Sequence, residues 1–267
     1  MRRGPGTLYR RLQSVRYLLR RDRAAVVSFL AARWPIDVPL SRRLGIVARF
    51  VSTTNHVRAY HSQAQLLRVA DRILRLAGRP DLTVVEAGAC KGASTAKLSL
   101  VTALAGGRLH VFDSFRGMPP NDEPDHVLDG RPVRFRAGAF RGRLAEVRRN
   151  VARFGAPEAC TFHAGWFADT LPAFAGPVDV ALLDVDLASS TRTCLVHLVP
   201  RLRPGGILFT QDGHLRNVVA VLGDARFWRE QVGVVPPAID GLGRRKFLAI
   251  GPPAAVAAQE AGRNRAS

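Results

Sequence analysis

The chain is short of cysteine, of acidic residues and of long apolar runs, and each shortage closes off a class of protein. Only three of its 267 residues are cysteine, at positions 90, 160 and 194. They are odd in number, far apart and form no C-x-x-C pair, which argues against a disulfide framework and a zinc site. So few, unpaired thiols predict a reducing compartment, hence a cytoplasmic protein. No apolar run approaches the ~20 residues that a membrane-spanning helix requires. The basic N-terminus has neither a sustained apolar stretch nor a clean cleavage site, so no signal peptide is predicted. No internal repeat is visible.

The acidic deficit is large. Lys+Arg is 40 and Asp+Glu is 21, a net charge of +19, and nearly all the cations are arginine. This balance suits nucleic acid, an acidic membrane surface or anionic substrates as partners, and equally a compositional bias toward Arg and Ala. The arginines are spread along the chain and do not interleave with aromatics as in an RNA-binding platform, so no specific nucleic-acid partner is expected. Hydrophobic residues make up 47%, enough for a full core.

The pattern changes near residue 80. Residues 1–80 read as a basic helical extension, 81–252 as an α/β domain and 253–267 as a flexible tail. In the extension Leu8, Leu12, Val15, Leu19, Val26 and Phe29 recur at helical spacing among Arg10, Arg11, Arg16, Arg20, Arg21 and Arg23, up to a break near Pro35. Such a helix makes weak contact with an anionic membrane, or packs on the core with its arginines in water. A second helix is predicted over 63–76, ending at Gly78 and Pro80. Strands are predicted at 82–87, 109–112, 161–163, 178–183, 207–210 and 246–250, with helices at 94–104, 143–154, 191–202 and 218–228. Pro204-Gly205-Gly206 reads as a turn, and an acidic, proline-rich loop runs through Asp129. The alternation implies a doubly wound, mostly parallel sheet of Rossmann-like type, with ligands beyond the carboxyl ends of its strands.

The first strand ends in Glu86-Ala87-Gly88-Ala89-Cys90-Lys91-Gly92, and the next ends about 20 residues later at Asp113. Gly88 and Gly92 allow a tight strand-to-helix turn and close approach of a ligand. A carboxylate at Asp113 accepts hydrogen bonds from a ribose. The spacing G-x-x-x-G is not that of a dinucleotide site. Glu86 beside the loop repels a pyrophosphate and suits a ligand carrying ammonium and sulfonium groups, which favours S-adenosylmethionine over NAD.

The run 84–92 is similar to the first motif of class I methyltransferases. Asp113-Ser114-Phe115-Arg116-Gly117-Met118-Pro119 and Gly165-Trp166-Phe167-Ala168-Asp169-Thr170-Leu171-Pro172 resemble segments of the macrocin and mycinamicin O-methyltransferase family. Leu183-Asp184-Val185-Asp186, Ser190-Thr191 and Pro204-Gly205-Gly206 follow in the same order, so the resemblance covers about 84–212. It implies a seven-stranded sheet closing on an antiparallel hairpin, with 246–250 as one of its strands. It also implies that Glu86, Gly88 and Gly92 line the methionine part of S-adenosylmethionine, with Ala89, Cys90 and Ser94 among the cofactor-binding residues. Asp113 and Ser114 would hold the ribose, with Trp166 and Phe167 near the adenine.

Asp184 ends one apolar strand and Asp212 follows the next, so their carboxylates project at one end of neighbouring strands. Paired carboxylates suit Mg²⁺, and the resembling family is metal-dependent in this region. It usually has two adjacent aspartates here; this chain has Gln211-Asp212, a weaker oxygen ligand beside a strong one. The predicted metal set is Asp184, Gln211 and Asp212, with Asp186 either a further ligand or the cap of the next helix. His214 and Asp184 are the predicted catalytic pair, His214 having the basicity to deprotonate a hydroxyl; His126 in the acidic loop is a rival. The expected function is O-methylation of a small acceptor, a sugar or other natural product. Alternatives are methylation of RNA or another polyanion, or cofactor binding without turnover. The sequence is compatible with a homo-oligomer.

Overall fold

The structure, a computed structural model, describes residues 21–128 and 131–251. The predicted tail and the apolar positions Leu8, Leu12, Val15 and Leu19 lie outside the described residues. Two compact units are present.

The first unit comprises Met1–Leu82, Ala89–Leu109 and Gly142–Thr161. It contains α1 (Arg23–Ala31), α2 (Leu40–His56), α3 (Gln63–Leu74), α4 (Ala93–Leu104) and α5 (Leu144–Phe154). α1 stops ahead of Pro35 and α2 starts directly after Pro39, as expected of residues whose rings and missing N–H groups disfavour continued helix. A capping box opens α3: the Ser62 hydroxyl accepts from the Gln65 N–H, and the Gln65 side chain accepts from the Ser62 N–H. Leu66, Leu67, Ala70, Ile73 and Leu74 of α3 are buried, the i, i+3, i+4 stripe of a core-facing helix. A polar hub lies among these helices. The fully buried Lys97 of α4 donates to the Thr54 hydroxyl at 2.7 Å and to the Gln63 side-chain oxygen at 3.2 Å. The Asp22 carboxylate accepts from the Gln63 N–H at 3.1 Å. Burial pushes the Lys97 ammonium down to about 7, opposed by the attraction of Asp22.

The second unit comprises Thr83–Gly88, His110–Arg141 and Phe162–Ser267. Its centre is a mixed seven-stranded sheet built from β1 (Thr83–Ala87), β2 (Arg108–Asp113), β5 (Cys160–Ala164), β6 (Val178–Leu183), β7 (Leu202–Thr210), β8 (Ile239–Asp240) and β9 (Leu248–Ile250). Their order is β5-β2-β1-β6-β7-β9-β8. β1 and β6 pair in parallel, as do β6 and β7, while β9 runs antiparallel to both β7 and β8. The chain therefore has the α/β, Rossmann-like fold expected of it. β6 is buried at every position, which accounts for its almost wholly apolar sequence. Its one polar residue, Asp179, accepts from the Thr83 N–H at 2.9 Å and from Arg203 at 3.4 Å.

Several elements differ in extent from the sequence expectation. Pro204-Gly205-Gly206 lies inside β7, where the register slips between Val178 and Val180, so the turn residues form an irregularity in a longer strand. The predicted helix 218–228 divides into α8 (Arg216–Gly223) and a short α9 (Ala225–Phe227), because Asp224 leaves the helix and caps the second piece. The acidic loop contains a small hairpin of β3 (His126–Leu128) and β4 (Arg131–Val133). Two further helices are α6 (Phe167–Thr170) and α7 (Ala188–Leu198).

Candidate active site

In the second unit four strand ends come level. The Gly88 N–H donates to the Phe112 carbonyl, the Asp184 N–H to the Ala87 carbonyl and the Gln211 N–H to the Leu183 carbonyl, at 2.9, 3.0 and 3.0 Å. The last residue of β2, Asp113, and the residues just past β1, β6 and β7, namely Gly88, Asp184 and Gln211-Asp212, thus lie at neighbouring strand ends. Gly88 has φ +90, and a Cβ there would stand 2.0 Å from the Asp184 carbonyl oxygen. No other residue type fits. Glu86 is fully buried within β1.

Asp113 ends β2, and its Oδ1 accepts from the Phe115 N–H at 2.6 Å. The Ser114 hydroxyl donates to the Gly117 carbonyl and accepts from the Arg116 N–H, so it folds the turn in which it sits. Phe115 has φ +54, a conformation held by this knot of bonds. The Gly165 N–H donates to the Asp113 carbonyl at 3.1 Å, which brings Trp166, the residue capping α6, next to the end of β2. Trp166 and Phe167 are half-buried rather than core residues.

The chain continues from Gly88 into residues that belong to the first unit. There Ala89, Gly92 and Ser94 are buried and Cys90 is half-buried with φ +47. The Gly92 N–H closes a turn onto the Ala89 carbonyl at 2.7 Å. α5 braces this loop: Asn150 donates to the Lys91 carbonyl at 2.8 Å, and Lys91 pairs with Glu146 at 3.0 Å.

Asp184, Asp186 and Asp212 each place a carboxylate oxygen within 4.8 Å of the others. Asp212 is fully buried; its Oδ2 accepts from the Val185 and Asp186 N–H groups at 3.0 and 3.1 Å, while its Oδ1 has no hydrogen-bond partner. Burial pushes all three carboxyl groups well above the usual carboxylate range, repulsion from the neighbouring carboxylates adds to the rise at Asp186 and Asp212, and the attraction of Lys246 only partly offsets this. Crowded, desolvated hard oxygens with one orphaned lone pair fit a small divalent cation such as Mg²⁺. Asp186 does not cap α7, whose cap residue is Leu187; it joins the carboxylate group, with φ +59. Gln211 is buried beside Asp212, and His214 is exposed in the turn before α8.

Two residues that sequence reasoning left without a role belong to this end of the sheet: Lys246 acts on the cluster from just before β9, and Glu123 holds the helix that follows it. Neither carried a local signal. Asp186, expected as either a further ligand or a helix cap, lies in the carboxylate cluster.

Residues 66–240 match the family model described as Macrocin-O-methyltransferase (TylF), which is more than half of the chain. The chain belongs to the macrocin O-methyltransferase family. Over 169 residues it is 36% identical to the 8-demethyl-8-(2,3-dimethoxy-alpha-L-rhamnosyl)-tetracenomycin-C 4'-O-methyltransferase of Streptomyces olivaceus, covering 60% of this chain and 63% of that protein. Over 109 residues it is 35% identical to the mycinamicin III 3''-O-methyltransferase of Micromonospora griseorubida, covering 38% of this chain and 42% of that one. The matched stretches thus span less than two thirds of these relatives' own length. Among solved structures, the O-methyltransferase NovP superposes with a TM-score of 0.55 at 22% identity, over 70% of this chain and 78% of NovP. The calicheamicin methyltransferase CalS11 does so with a TM-score of 0.53 at 15% identity, over 94% of each chain. Both share the fold. The macrocin O-methyltransferase match takes in the strands from β1 to β8 and all three clustered aspartates.

Proposed function

We propose that this chain transfers the methyl group of S-adenosylmethionine to a hydroxyl of a small natural-product acceptor, a sugar foremost, with Mg²⁺ at the carboxylate cluster. The carboxylate triad of Asp184, Asp186 and Asp212, one strand from the glycine turn at Gly88, carries this reading. The names of the family's members and relatives, O-methyltransferases of natural products, support the acceptor class.

Asp113 would hold the cofactor's ribose, and the methionine end would lie against the turn at Gly88. Trp166 and Phe167 would flank the adenine. Asp184, Asp186 and Asp212 would hold the metal, with Gln211 as a neutral neighbour in place of a further aspartate. Bound there, Mg²⁺ supplies Lewis acidity that orients acceptor oxygens and lowers their pKa. S-adenosylmethionine would supply an already activated methyl group, leaving as S-adenosylhomocysteine, and His214 or Asp184 would take the proton that the acceptor hydroxyl gives up. Sulfonium chemistry needs no further activation, so the protein's contribution is alignment and exclusion of water.

Calorimetric titration with S-adenosylmethionine and with NAD, each with and without Mg²⁺, tests the reading. S-adenosylmethionine binding that disappears in Asp113→Ala is the expected result. Preference for NAD, or no S-adenosylmethionine binding under any condition, overturns it.

A further inference from the structure

α7 begins without a cap of its own. Its N-cap residue, Leu187, makes no side-chain bond, and its first turn holds no acidic residue. Four N–H groups at such a helix start lack helical partners, and the end carries partial positive charge. The cap arrives from the acidic loop, 65 residues back in the chain: Glu123 Oε2 accepts from the Ala188 N–H at 2.9 Å. Its Oε1 accepts from the Ser189 N–H at 2.8 Å and the Ser189 hydroxyl at 2.7 Å. These are short, charge-assisted bonds aimed at the positive helix end. Next to Glu123, the Pro124 carbonyl accepts from Asn217 on α8 at 3.3 Å. One segment is thereby fastened to the first turns of both helices that follow the aspartate-bearing strand ends.

The backbone between Asp184 and α7 is consequently held from two sides. Asp212 Oδ2 binds the Val185 and Asp186 N–H groups, and Glu123 binds the next free ones, at Ala188 and Ser189. Between these two anchors Asp186 adopts φ +59. A non-glycine residue in that region persists only where its surroundings impose it. We propose that Glu123 is a positioning residue of the carboxylate cluster: by capping α7 it holds Asp186 in this conformation, with its carboxylate beside Asp184 and Asp212. The proposal rests on the reading of the cluster as a divalent-cation site, and it makes the acidic segment and that site one mechanical unit.

Mn²⁺, a hard-oxygen probe followed by electron paramagnetic resonance, measures the site directly in the full chain. Glu123→Ala is expected to raise the Mn²⁺ Kd roughly threefold to tenfold, the scale of a lost helix cap. Glu123→Gln, which keeps one oxygen acceptor and the side-chain volume, falls between the two. The Ala188 and Ser189 amides exchange hydrogen faster in both variants, while S-adenosylmethionine affinity stays within about twofold of wild type. Equal Mn²⁺ affinity in wild type and Glu123→Ala, with metal bound by both, overturns the positioning role and leaves the metal reading standing. A wild-type chain that binds no Mn²⁺ overturns the metal reading, and the positioning of a metal site falls with it. Unchanged exchange at Ala188 and Ser189 in Glu123→Ala shows that the cap itself is inert and overturns the proposal on its own.

Discussion

The Cβ that Gly88 lacks would lie 2.0 Å from the carbonyl oxygen of Asp184. The glycine turn and the first aspartate of the cluster are therefore one piece of geometry, set where β1 and β6 pair side by side. Gly88→Ala is expected to destabilise the chain by at least ~2 kcal/mol, combining the strain of φ +90 with a backbone clash. Urea denaturation gives the stability, and titration of the folded fraction with S-adenosylmethionine reads the accompanying loss of binding. Wild-type values in both would separate the turn from the cofactor.

Asp212→Asn removes one charge from a crowded group of three acids, of which Asp212 is the fully buried one. Without metal the variant should melt no lower than wild type, because repulsion is relieved. The increase in Tm that Mg²⁺ gives wild type should disappear. An unaltered Mg²⁺-dependent shift would remove Asp212 from the site.

Gln211→Asp reverses the logic. The position is buried, and a new carboxylate there adds to the repulsion in the metal-free chain. Apo Tm should fall by several degrees and the Mg²⁺-induced increase should grow, both readable in one thermal scan series. A fall in Tm that Mg²⁺ does not recover would place Gln211 away from the cation.

Lys97 predicts a pH dependence of stability. Its pKa is about 7 in the fold against 10.5 for an exposed lysine, so between these values the unfolded chain holds a proton that the folded chain has released. Stability therefore rises with pH across that window and is lowest below it. Lys97→Met abolishes this contribution, whose slope is at most about 1.4 kcal/mol per pH unit. Urea midpoints at pH 6.5, 8 and 9.5 should diverge between the two chains; parallel curves would show that Lys97 does not titrate in the fold.

His163 works in the opposite range. It stacks on Phe112 with ring centroids 4.1 Å apart, and its Nε2 lies 3.0 Å from His110 Nδ1, so one ring donates and the other accepts. Burial lowers its pKa below 6.5. The neutral ring is thus the folded form, and stability present above about pH 6.5 is lost as pH falls, when the unfolded chain takes up the proton first. His163→Phe keeps the stack and should flatten the acid limb of a stability–pH curve. An acid limb as steep as wild type would assign that loss to other groups.

Much of this protein is decided locally and so can be read from residue order. Strand ends at Ala87, Asp113 and Leu183 follow from apolar runs closed by glycine or aspartate. The left-handed turns at Gly88 and Gly92 follow from the one residue type that adopts them freely. Asp184 and Asp212 meet because consecutive parallel strands pair, a rule that spacing alone can invoke. The remainder depends on contacts between residues far apart in the chain. The start of α7 three residues earlier than its pattern suggested is supported by Glu123, and no local signal connects a glutamate in an acidic loop to that helix. Asp186 became part of the carboxylate group, rather than a helix cap, because the same bonds turn its backbone left-handed. Lys97 looked like an ordinary helix residue until Asp22, Thr54 and Gln63 closed around it. Periodicity and turn chemistry act over a few residues and are written in the sequence. Hydrogen bonds and desolvated charges between distant residues depend on where the chain returns, which only the folded arrangement specifies.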